Sequence, residues 1–117
     1  MIHFVIVDYE TKNPVSGAEV YFTDFKYKTI FDWEMETEKT GYTDETGGIN
    51  VVFNNRNDSV RIEKKGYLSI SVVMRSDDDV IVAYRKSGTD EVLARKIVKI
   101  NQLDKIEAYR ESSVPIF

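Results

Sequence analysis

Residues 2–85 are built from short runs of β-branched and aromatic residues, each closed by a cluster of turn formers. Ile2-His3-Phe4-Val5-Ile6-Val7 reads as a strand covered on both faces and ends at Asp8. The turn cluster TKNPVSG follows at 11–17, and Ala18–Thr23 then places Ala18, Val20 and Phe22 on one face. That Pro/Gly loop predicts an antiparallel pair between the first two strands. Ile49–Phe53, Ser59–Lys64, Tyr67–Met74 and Val80–Arg85 continue the pattern. Val60 and Ile62 face inward, and Leu68, Ile70, Val72 and Met74 share a face. With residues 31–39 this makes seven short strands spaced by turns, the pattern of a β-sandwich.

Residues 26–39 have an unusual composition. Phe31, Trp33, Met35 and Thr37 alternate with Asp32, Glu34, Glu36 and Glu38. A period of two puts the apolar residues on one face and the acids on the other. An edge strand or an extended arm fits, and acidic side chains also block edge-to-edge pairing. Next comes TGYTDETGGINVVF at 40–53, two apolar-patterned runs split by Asp44-Glu45-Thr46-Gly47-Gly48. Asp44 is placed to accept from amides two residues on, and Gly47 or Gly48 supplies a positive φ. The stretch therefore reads as a structural hairpin. DETGG lacks the regular oxygen-ligand spacing of an EF-hand.

After residue 86 the pattern is ambiguous. Lys86–Glu91 is a turn, which favours Val92–Ile100 as a strand folding back onto Val80–Arg85. Residues 90–111 contain no Gly or Pro, however, and Leu93, Ile97 and Ile100 also fit a helical stripe. Residues 102–110 then read as a short helix. The chain ends in SSVPIF, an apolar tag after a polar stretch. The expected organisation is a sandwich domain over 1–86 and a C-terminal extension over 87–117.

Composition narrows the chemistry. With 117 residues, 42% of them apolar, one domain with an unstapled core is feasible. The absence of cysteine excludes disulfides, thiolate metal sites and cysteine catalysis. Sixteen basic residues stand against 20 acidic ones, with 10 against 15 in residues 1–85. An acidic body argues against nucleic acid and against an anionic membrane surface. No apolar stretch is long enough to span a bilayer. The N-terminus MIHFVIVDYE has no basic region before its apolar run, so no signal peptide is expected. The corresponding location is the cytoplasm or an assembled virion, or outside the cell if a leader is removed. His3 is the only histidine and reads as a surface or half-buried strand residue. Asp77, Asp78 and Asp79 read as a solvated turn. No nucleophile elbow, phosphate loop or zinc spacing occurs. No catalytic residue, metal or cofactor is expected, and the chain is not expected to be an enzyme.

Four segments in order resemble the carboxypeptidase regulatory-like domain over residues 2–85. They are Val5-Ile6-Val7-Asp8, Asn13-Pro14-Val15-Ser16-Gly17-Ala18-Glu19-Val20, Thr43-Asp44-Glu45-Thr46-Gly47-Gly48-Ile49 and Lys65-Gly66-Tyr67. The resemblance implies an all-β fold, a seven-stranded Ig-like or transthyretin-like antiparallel sandwich. To this the present chain adds a C-terminal strand or short helix. It also implies that the Thr43–Gly48 segment is a hairpin and not a catalytic site. Tyr109-Arg110-Glu111-Ser112 resembles the C-terminal signature of 5-hydroxyisourate hydrolase, with Glu111 in place of glycine. That enzyme requires more than one active-site histidine, and Val5 stands where its first-strand histidine would lie.

The expected function is a non-catalytic structural or protein-interaction sandwich, a component of a larger assembly such as a bacteriophage virion or tail. Its partners are proteins, either copies of itself or virion neighbours. The expected contact residues are Phe31, Trp33 and Met35 on the acidic arm, and Val114, Ile116 and Phe117 in the apolar tail. The alternative is a carbohydrate- or peptide-binding module using Trp33, Tyr27 or Tyr42 as a stacking platform, and a remoter one is a hydroxyisourate-hydrolase-like enzyme.

Overall fold

Alternating apolar residues bury one face of each strand, and two sheets close over the buried faces. The computed structural model describes residues 1–29 and 32–117, and of 26–29, 32–36, 38 and 39 only the backbone. Among the described residues there are nine strands: β1 (Ile2–Asp8), β2 (Glu19–Thr29), β3 (Asp32–Tyr42), β4 (Gly48–Val51), β5 (Ser59–Glu63), β6 (Ser69–Met74), β7 (Asp79–Arg85), β8 (Val92–Lys99) and β9 (Lys105–Ala108). One sheet has the order β4-β1-β9 and the other β3-β2-β5-β6-β7-β8. Phe4, Ile6, Ile49, Val51, Ile106 and Ala108 from the small sheet meet Val20, Val60, Ile62, Ile70, Val72, Val80, Val82 and Tyr84 from the large one. The chain is thus a small all-β sandwich, as the spacing of its strands predicts.

Three expectations about pairing are corrected. β1 and β2 do not pair, because β4 and β9 occupy the two edges of β1. Residues 13–15 fold back on β1 instead, with the Val15 amide donating to the Ile6 carbonyl at 2.9 Å, and the chain then crosses to the other sheet. Thr43–Gly48 is likewise a crossing between sheets rather than a hairpin. Tyr42 pairs with Glu19 on β2, whereas Gly48 pairs with Val5 on β1.

The third correction falls on 102–110. Val92–Lys99 is the strand expected, paired antiparallel with β7 through Ile81 and Ile97. A single 3-10 turn at Ile100–Gln102 follows, and then β9 lies parallel to β1. Ile106 and Ala108 both face the core at a period of two, and β1 offers them its free edge. That burial decides for a strand where a short helix is expected. Residues 87–117 thereby supply one strand to each sheet.

Candidate interaction surface

β5 accompanies β2 only along Glu19–Thr23. Beyond Thr23, β2 continues to Thr29 with β3 as its sole strand partner among the described residues. Six further residues at about 3.3 Å each carry this two-stranded arm roughly 20 Å past the sheet. The molecule accordingly measures 46 × 28 × 25 Å. The register sets Phe25 opposite Met35, Tyr27 opposite Trp33, Lys26 opposite Glu34 and Asp24 opposite Glu36. Apolar positions therefore pair with apolar ones and charged with charged. At the root, the Thr23 and Thr37 hydroxyls bond at 2.9 Å.

Asp58 anchors that root. Its side chain is fully buried at 0% exposure. One carboxylate oxygen accepts from the Phe25 amide at 2.9 Å, and the other accepts from the Asn54 and Asn55 amides at 2.9 and 2.8 Å. The position where the arm leaves β5 is thus tied to the β4–β5 loop. The sequence offers only a polar turn at 54–58, and nothing there signals a buried carboxylate.

The predicted contact residues fall in two places. Phe31 lies outside the described residues. Trp33 and Met35 are backbone positions of β3 on the arm. Val114, Ile116 and Phe117 are 70%, 76% and 57% exposed, with Pro115 buried between them. The tail is nonetheless held against the body. The Ser113 amide donates to the Arg110 carbonyl at 2.9 Å, and the Phe117 ring lies 5.8 Å from Tyr84 with Lys96 over its face. The arm and the tail are separate surfaces in the chain order of the sheet, the arm on the β3 edge and the tail beside β8.

Arg110 has a structural tie of its own. It donates to Asp8 at 2.9 Å, where the Tyr67 hydroxyl also donates at 2.6 Å and the Glu10 and Thr11 amides at 2.8 and 3.0 Å. Burial of Asp8 works against its ionisation. The Tyr67 hydroxyl, the two amides and the Arg110 guanidinium outweigh it and hold the carboxyl at about 2. The same contact pushes the Tyr67 phenol upward. The knot joins the end of β1 to the residues on either side of the Tyr67–Arg110 bridge. His3 sits at the opposite end of β1, five residues or roughly 17 Å away. Its ring bonds the exposed Asn50 side chain at 2.8 Å. The fold does not bring His3 and Arg110 together.

The Thr43–Gly48 crossing is held as its residue types predict. Asp44 accepts from the Thr46 hydroxyl at 2.6 Å and from the Thr46 and Gly48 amides at 2.8 Å, which holds its carboxyl below the usual range. Gly47 has φ +75°, and its carbonyl accepts from the Ile6 amide at 2.8 Å. One Asp44 oxygen, Oδ1, thus takes all three bonds and is engaged by the turn itself. In the acidic turn, Asp79 pairs with Lys99 at 3.0 Å, and the Ser76 hydroxyl accepts from the Asp78 and Asp79 amides. Among the described residues no three His, Asp or Glu side chains gather as for a metal ion.

The open face of the large sheet carries a trough of about 520 Å³, lined by Thr23, Arg61, Glu63, Ser69, Ser71 and Arg85 among others. The Ser71 hydroxyl is buried there and has no hydrogen-bond partner among the described residues. Tyr42 is 61% exposed at the end of β3. No family model, no curated protein and no solved structure matches the chain. What the architecture defines is a class, a small all-β sandwich compatible with an Ig-like or prealbumin-like domain.

Proposed function

We propose that the protein is a non-catalytic β-sandwich of the carboxypeptidase regulatory-like, transthyretin-like kind that works by protein–protein contact. In this reading it is a building block of a larger assembly, a bacteriophage virion or tail being the concrete version. The observation that carries the reading is the overhang of β2 and β3 beyond β5. Two strands without a third partner are marginal in water. Here they carry Phe25, Tyr27, Trp33 and Met35 in apolar register pairs. A neighbour that covers those positions completes the hydrophobic layer, and the exposed Val114, Ile116 and Phe117 add a second contact.

The test is site-specific photo-crosslinking in the producing cell. A photoreactive residue at position 33 is expected to give a discrete adduct of protein mass. The same residue in place of the exposed Glu111 is expected to give none. Equal labelling at both positions, or none at position 33, would remove the arm as a contact element.

A carbohydrate- or peptide-binding role is the second reading. It is favoured by the polar trough around Ser69 and Ser71 and by the exposed ring of Tyr42. It predicts a saturable change in the emission of Trp33 or in tyrosine resonances as soluble glycans are added.

A further inference from the structure

Among the described residues, the six-stranded sheet ends in two strands whose outer edges meet no further strand, β3 and β8. Their charges are opposite. β3 carries Asp32, Glu34, Glu36 and Glu38 against Lys39 alone. β8 carries Arg95, Lys96 and Lys99 and no acid. Arg95, Lys96 and Lys99 are all exposed. The two strands also run in opposite directions, because every neighbouring pair across the six is antiparallel. A second copy displaced along the sheet therefore presents its β3 antiparallel to the β8 of the first.

We infer that copies of this chain join head to tail by strand addition, β8 of one against β3 of the next. This deepens the assembly reading above and rests on it, naming a second copy as one partner. Free edges pair readily through their backbone groups, so the side chains decide which edges meet. A two-fold dimer through β8 sets Arg95 and Lys96 against their own kind, Lys99 being paired with Asp79 of its own chain, and one through β3 sets acids against acids. Both arrangements place like charges across the ladder and are disfavoured. Only the unlike edges attract. The acids of β3 thus act in two ways, excluding a β3–β3 pair and recruiting β8. A contact between unlike surfaces propagates as a ring or an open filament rather than stopping at two. Six strands accumulate roughly 120° of twist, so the open form is helical.

The experiment is a charge swap on the full chain, read by sedimentation velocity across a concentration series. Wild type is expected to form a ladder of oligomers that shrinks as salt is added. R95E/K96E makes both edges acidic, and E36K/E38K makes β3 basic like β8. Each variant alone is expected to associate about tenfold more weakly than wild type. An equimolar mixture is expected to restore the ladder, because every contact in it again joins unlike edges. That restoration also shows both variants to be folded. A wild type that stays monomeric to millimolar concentration overturns the inference, as does a ladder unmoved by either variant or a mixture that fails to recover. A position-33 adduct with another protein, alongside a monomeric wild type, would leave the assembly reading standing and remove only self-association.

Discussion

Replacing Asp58 by alanine is the substitution whose cost follows most directly from the fold. Its carboxylate accepts three backbone amides at 2.8 to 2.9 Å inside a fully buried site. A hydrogen bond to a charged group contributes about 1.5–3 kcal/mol, and an orphaned buried amide costs about 1–3 kcal/mol. The two loop amides regain part of this from water, so the net loss is about 3–5 kcal/mol. A domain of this size has a total stability of about 5–15 kcal/mol, so Asp58→Ala comes near the edge of folding. Asp58→Asn keeps the volume and one acceptor oxygen. It retains either the Phe25 bond or the Asn54–Asn55 pair, and it is expected to cost about half as much. Equilibrium urea unfolding measures both, with the slope unchanged and the midpoints in the order wild type, asparagine, alanine. An alanine variant within about 0.5 kcal/mol of wild type, the range of an ordinary surface substitution, would refute the account of the root.

Other substitutions test the crossings between the sheets. Gly47→Ala is expected to destabilise by about 2–4 kcal/mol in thermal denaturation, since a Cβ there meets the Ile6 carbonyl oxygen at 2.3 Å and φ is +75°. Thr43→Val keeps the shape but removes a bond donated to the Val15 carbonyl at 2.7 Å and one accepted from the Ala18 amide at 2.9 Å. An expected cost of about 2–4 kcal/mol in urea checks it. Asp8 is held at about 2, below its ordinary 3.8, so its contribution is complete above about 3.8 and lost as pH falls towards 2. Acid titration of stability is expected to show that loss in wild type, while Asp8→Asn is weaker at pH 7 and flatter between those limits.

Much of the sandwich is legible as period-two alternation. Val60 and Ile62, Leu68, Ile70 and Val72, and Val80, Val82 and Tyr84 are all buried on one face of their strands. Alternation assigns faces but says nothing about partners. Pairing β1 with β2 was the natural reading of a Pro/Gly loop, yet the loop crosses between sheets because both edges of β1 are taken by strands far along the chain. β9 is four residues long, too short for a period of two to declare itself. Asp58 was hidden for another reason. Its burial depends on amides from two segments, one of them more than 30 residues away, and the residues around it are those of any surface turn. The arm could be read as an acidic edge strand from its composition, whereas its overhang becomes evident only from where β5 stops.

The account turns on the arm being incomplete without a neighbour, and amide hydrogen exchange on the isolated protein, at a dilution and salt concentration where sedimentation shows a monomer, tests that most directly. Glu19–Thr23 lies between two strands and is expected to exchange slowly, with β5, β6 and β7. Amides of residues 26–29 and 32–34 are expected to exchange orders of magnitude faster. Protection of the arm equal to that of the sheet body would mean that the hairpin is complete by itself, and would contradict its role as a contact element.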